Sequence, residues 1–253
     1  MMTSDPARHP SDAPGFDGVV FDLDGVLVES EHLWEENWTA YSASSGYSWL
    51  VTDTSTVQGM SVPEWSGYML DRIGRGTATD IADRVIDGMI AALNNGRIEL
   101  LPAAAAMVET AAARVPIAVA SSAPKRLIAA VLAATGLLAH FSATVSSEEV
   151  RRGKPSPDVY QEAARRLDLD PTRCLGVEDS NNGIRAAAAA GLTVIALPNP
   201  VYPPAADALA LCTVVAATAE DVRRYFANHL PHARPAPGVR RGRVGGSIEG
   251  GSR

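Results

Sequence analysis

Val19-Val20-Phe21-Asp22-Leu23-Asp24-Gly25-Val26 is the stretch on which the reading of this chain turns. Val19 to Phe21 are β-branched and aromatic, the composition of a short buried strand. Asp22 and Asp24 therefore fall at the strand's C-terminal end, where both carboxylates reach a common site. In an open α/β sheet that edge is where ligands bind. Two anions held together there repel, and a divalent cation is the simplest group that holds both. Asp-x-Asp-Gly alone is equally compatible with a solvated acidic turn, so the rest of the chain must decide.

Outward from this point the chain alternates strand and helix. Residues 103–114, 124–135, 157–167, 183–190 and 219–230 read as helices. Residues 116–120, 141–145, 174–177, 193–197 and 213–215 read as strands. That alternation predicts an α/β fold, a doubly wound parallel-sheet (Rossmann-like) core. Residues 30–96 interrupt the series as a helical insertion. Within it, Ser61-Val62-Pro63-Glu64 has the form of a capped helix start. Thr79 opens an amphipathic stretch that ends near Leu93, before Asn94-Asn95-Gly96. The expected division is a flexible arm over 1–15, a core over 16–29 and 97–230, the helical piece over 30–96, and a disordered basic tail over 231–253.

Bulk properties narrow the function. The 253 residues are 46% hydrophobic with a net charge of -7. That charge argues against nucleic acid as a partner, since phosphate backbones call for a basic face. No apolar run is long enough to cross a membrane, and the N-terminal residues have no secretory pattern. Two cysteines, Cys174 and Cys212, are too few for a disulfide framework and fit a cytoplasmic setting. The sequence carries no signal for an oligomeric state, and a monomer is one of the open alternatives. Of 22 basic residues only Lys125 and Lys154 are lysine, so each is informative about where an ammonium is wanted.

Three further signals sit just after apolar strands. They are Ser121-Ser122, Gly153-Lys154-Pro155-Ser156-Pro157-Asp158, and Glu178-Asp179-Ser180-Asn181-Asn182-Gly183. In a parallel sheet all strand C-termini share one edge. Asp22, Asp24, Ser121, Glu178 and Asp179 are expected to converge there, with Lys154 reaching over from a loop. The carboxylates suit a hard divalent ion such as Mg2+. Ser121, nearby N–H groups and Lys154 suit a phosphate. A carboxylate attacks a phosphate dianion only if the charge is masked. One unit charge pair at about 4 Å and an effective dielectric near 20 is worth about 4 kcal/mol, so a dication and an ammonium together suffice. Taken singly, each motif also reads as a turn residue, a surface lysine or a helix N-terminal charge pair.

Taken in order, the four motifs resemble the haloacid dehalogenase-like superfamily of phosphohydrolases, and within it the β-phosphoglucomutase-like branch. The likeness spans about residues 19–230 and includes a helical cap inserted after the first motif. It implies Asp22 as nucleophile, Asp24 as general acid and base, and Ser121 and Lys154 as holders of the phosphoryl group. It implies Asp22, the Asp24 carbonyl and Asp179 as magnesium ligands. Glu178 would ligate either directly or from behind a ligand. Ser122, Trp34 and His32 are the candidate substrate contacts.

The same residues choose among chemistries of the family. Asp24 favours phosphoryl transfer over dehalogenation. The insertion has no lysine, which disfavours phosphonate cleavage by Schiff base. The cap arginine of the sugar mutases falls at Val62, their cap histidine at Trp34, and a hydroxyl residue at Ala123. A magnesium-dependent phosphatase acting on a small sugar or polyol monophosphate is the favoured reading. A sugar phosphomutase and a catalytically idle phosphometabolite-binding module are the alternatives. Trp34, Trp38 and Tyr41 share one helical face, read first as packing. Arg72 and Arg75 read as solvated helix charges.

Overall fold

The structure is a computed structural model that describes residues 15–232. Apart from Gly15, Pro231 and His232, the arm and the tail lie outside the described residues. The core is a six-stranded, all-parallel sheet. Its strands are β1 (Gly18–Phe21), β4 (Ile117–Ser121), β5 (Ala143–Ser146), β6 (Cys174–Glu178), β7 (Thr193–Ala196) and β8 (Val214–Val215), ordered β5-β4-β1-β6-β7-β8. Helices α5 (Ala104–Ala112), α6 (Lys125–Ala134), α7 (Asp158–Arg166), α8 (Asn181–Ala189), α9 (Ala206–Leu209) and α10 (Ala219–His229) connect them. This is the doubly wound core that the alternation predicts.

The pleat divides the packing. Val19 and Phe21 of β1 point into one cluster, and Val20 between them points into the other. All four residues of β1 are buried, as expected of a strand covered on both faces. Phe21 meets Phe141 and Phe226 edge-on, with ring centroids 6.1 and 5.9 Å away. These contacts fix the strand end from which Asp22 projects.

Between β1 and β4 the chain leaves the sheet through β2 (Val28–Glu29) and returns through β3 (Glu99–Leu100), which pair antiparallel. Four helices lie between them: α1 (Glu31–Ser44), α2 (Val51–Val57), α3 (Val62–Ile73) and α4 (Ala78–Asn94). The Ser61 N–H donates to Glu64 Oε2 at 2.8 Å, closing the expected cap of α3. Helix α4 starts one residue earlier than Thr79, because Thr77 Oγ1 accepts the Asp80 N–H at 3.1 Å. Likewise α8 starts two residues before Gly183, because Ser180 Oγ caps its first turn. No helix among the described residues is long and apolar enough to cross a membrane.

Candidate active site

Asp22 is the first residue past β1, and its N–H still donates to Val177 O at 3.0 Å. The register pairs Phe21 with Val119 on one side and Val177 on the other. Asp22, Ser121 and Glu178 therefore end up on one edge. The loop that follows turns at Gly25, with φ +78°, where a Cβ would lie 2.0 Å from Asp179 Oδ2. At Gly183 a Cβ would lie 1.8 Å from Glu178 Oε1. The glycines of the two motifs thus make room for the two carboxylates.

Lys154 is buried, and its Nζ donates to Asp22 Oδ1 at 2.7 Å and to Glu178 Oε1 at 2.6 Å. Glu178 is 0% exposed. Its Oε1 also accepts from Tyr160 Oη at 2.6 Å. Its Oε2 accepts from the Asp179 and Ser180 N–H groups and the Ser180 hydroxyl at 3.1–3.2 Å. Five donors on one carboxylate make it an anchor for Lys154. Asp22, Glu178 and Asp179 each offer an oxygen, all within 4.8 Å of one another. Among the described residues no hydrogen bond reaches Asp22 Oδ2 or the Asp179 carboxylate. These two side chains are the ones free to hold a hard divalent cation, and Glu178 stands behind them.

Charge tells the same story. Burial pushes Asp22 up to about 7; Lys154 opposes the rise, while Glu178 and Asp24 add to it. Burial, with repulsion from Glu178, Glu31 and Asp22, holds Asp179 well above the usual carboxylate range. Burial alone would lower Lys154, but Asp22 and Glu178 outweigh it and hold the ammonium above its ordinary value. A cation between Asp22 and Asp179 relieves what the single ammonium leaves uncompensated.

This makes a testable linkage. Asp22 binds its proton more tightly folded than unfolded, so its contribution to the stability of the cation-free protein is fully present below about pH 4 and is lost as pH rises through about 7. Calorimetry without divalent ions is expected to show Tm falling by about 5–10 °C from pH 5 to pH 8. A saturating divalent cation is expected to raise Tm more at pH 8 than at pH 5. A cation-independent, flat profile would contradict this account of the cluster.

The cavity next to these groups is about 50 Å3, room for on the order of four waters. Asp24 faces it, half-buried. Its Oδ1 accepts from the Ser30 hydroxyl and from Trp34 Nε1, the latter at 3.2 Å. Burial lifts its pKa against those two hydrogen bonds. Ser121, 1% exposed, accepts the Ala123 N–H at 3.0 Å. Ser122 Oγ donates to Gly59 O of the insertion at 3.0 Å. Trp34 and Trp38 line the cavity and also pack, with centroids 5.8 Å apart. Tyr41 on the same helix lines a different hollow.

The structure does not bring His32 to this group. Its side chain is 53% exposed, 3.3 Å from Glu29 Oε1, one residue round the helix from the inward face. Arg72 lies over the Tyr68 ring, outside the cavity. Sequence reasoning missed Ser30, Glu31, Trp65 and Tyr160. Glu31 and Trp65 line the cavity, and burial with the Asp24 and Asp22 charges pushes Glu31 up to about 8. Its place in the first turn of a helix makes it read as a dipole charge.

Residues 16–191 match the family described as haloacid dehalogenase-like hydrolase. The chain belongs to the haloacid dehalogenase-like hydrolases. The Arabidopsis thaliana bifunctional riboflavin kinase/FMN phosphatase is 31% identical over 183 residues, 72% of this chain and 48% of that protein, so the chain spans about half its length. Hexitol phosphatase B of Escherichia coli K12 is 30% identical over 192 residues, 72% of this chain and 83% of the relative. The structure of CbbY from Rhodobacter sphaeroides in complex with phosphate superposes with a TM-score of 0.72 at 25% identity, covering 82% of this chain and 96% of the other. A β-phosphoglucomutase from Clostridium difficile shares the fold, with a TM-score of 0.71 at 18% identity over 84% and 98% of the two chains.

Proposed function

We propose that this chain is a magnesium-dependent phosphatase that hydrolyses a sugar or polyol monophosphate through an aspartyl-phosphate on Asp22. Its class as a phosphomonoester hydrolase follows from the family match and the phosphatases among its relatives. The observation that carries the reading is the buried Asp22–Lys154 contact beside Asp24 and Asp179 at one sheet edge.

The geometry supports a two-step reaction. Lys154 holds and orients the Asp22 carboxylate, which attacks phosphorus. The ester P–O bond breaks as the Asp22–P bond forms, and Asp24 gives its proton to the leaving oxygen. Asp24 then takes a proton from water, which attacks the phosphorus, and the Asp22–P bond breaks to release orthophosphate. Ser30 and Trp34 fix Asp24 for both transfers. Asp22 and Asp179 would hold magnesium, which supplies positive charge against the phosphoryl oxygens. Ser121 and Lys154 orient those oxygens. A cytoplasmic setting belongs to the same reading, supported by the unbridged Cys174 and Cys212.

Among the described residues no Lys, Arg or His of the insertion lines the cavity, which leaves no cationic side chain there for the second phosphate of a mutase cycle. The test is orthophosphate release from a panel of phosphorylated sugars, polyols and nucleotides, with and without magnesium. Release from at least one sugar or polyol monophosphate, lost on chelation, is expected. Conversion of a sugar 1-phosphate to its 6-phosphate without release would overturn the reading.

A further inference from the structure

Among the described residues, Glu31 is the one charged side chain that the insertion brings to the cavity. It opens α1. Gln58 Nε2 donates to its Oε2 at 3.2 Å, and no hydrogen bond reaches its Oε1 among the described residues. Around it stand Trp34, Trp38 and Trp65, only 6%, 4% and 2% exposed. Their ring centroids lie 5.8–6.2 Å apart. Val57 and Met60 complete this wall. Across the whole lining, four carboxylates (Asp22, Asp24, Glu31 and Asp179) face a single ammonium, Lys154.

Each part of that wall selects. A carboxyl group hydrogen-bonds hydroxyls whether ionised or protonated. Indole faces cover the apolar C–H face of a carbon chain or ring. A second anion at this end would be buried among apolar rings with no cation to pair with, beside groups that repel it.

We propose that the insertion end of this cavity selects the leaving group, admitting a polyhydroxylated carbon chain with no second anionic group, and that Glu31 reads its hydroxyls. The inference rests on the phosphatase reading above.

Steady-state kinetics with magnesium on three esters tests it: a hexitol 6-phosphate, p-nitrophenyl phosphate, which has no hydroxyl, and fructose 1,6-bisphosphate. The wild-type protein is expected to prefer the hexitol ester over the bisphosphate by at least about 100-fold in kcat/KM. Glu31→Ala is expected to lower kcat/KM for the hexitol ester about 10- to 100-fold more than for p-nitrophenyl phosphate, mainly through KM, the size of one buried hydrogen bond whose partner is left unsatisfied. Glu31→Gln, which keeps an accepting oxygen, is expected to recover most of the loss. Equal falls on both monoesters in Glu31→Ala would make the residue structural and overturn the proposal. So would a bisphosphate turned over as readily as the hexitol ester, a result that needs no variant. Absence of release from all three esters by the wild-type protein would overturn the phosphatase reading itself, and this inference with it.

Discussion

Asp22→Asn is expected to lower orthophosphate release from every ester the wild-type protein hydrolyses by at least about 10^4-fold in kcat. The amide is nearly the shape of the carboxylate but has no lone pair able to attack phosphorus. The fold should survive. Lys154 keeps Glu178 as its counter-ion at 2.6 Å, and an amide oxygen can still accept its hydrogen bond. The substitution also removes a carboxylate that burial pushes up to about 7, so no stability is lost with its charge near neutral pH. Rapid-quench kinetics with circular dichroism of the purified variant separates the two effects. Wild-type turnover in a folded Asp22→Asn variant would end the nucleophile assignment.

Lys154→Met is expected to damage both chemistry and stability. The side chain is 2% exposed and contacts two carboxylates that are 9% and 0% exposed. Removing one partner of such a group leaves buried charge uncompensated, about 3–5 kcal/mol. For a domain of this size that lowers Tm on the order of 10 °C. The direction with pH is fixed by the same groups. Without the ammonium, Asp22 rises further from its ordinary range, so the deficit is greatest at pH 8 and shrinks toward pH 5.5, where the carboxylates take up protons. Loss of one charge-masking donor at the phosphoryl group is expected to reduce kcat by about 10^3-fold. An equal Tm for wild type and variant at pH 8 would show that Lys154 is not the counter-charge of this cluster.

The parts of this site legible in the sequence are those at strand ends. Asp22, Ser121 and Glu178 each close an apolar run, and parallel topology then dictates that they meet. Lys154 stands out because lysine is so scarce in the chain. Other parts are hidden for physical reasons. Tyr160 sits at a buried helical position and reads as packing until its hydroxyl is seen on Glu178. Strands β2 and β3 have two residues each, too few to show any alternation. His32 and Trp34 are two positions apart on one helix, and composition alone does not say which faces the sheet. The four tryptophans show why packing and lining a cavity are a false choice here, since three of them do both. Glu178 is open in the sequence between ligand and support, and its five donors, visible only in the folded chain, favour support.

The pairing of Val28 with Leu100 and Glu29 with Glu99 has an evolutionary consequence. The polypeptide departs from the catalytic layer and rejoins it on adjacent rungs of one short ladder. Lengthening, trimming or replacing everything between those rungs shifts no register in the six-strand sheet. Asp22 and its counter-charges can therefore be inherited unchanged while the inserted segment drifts, duplicates or is traded wholesale.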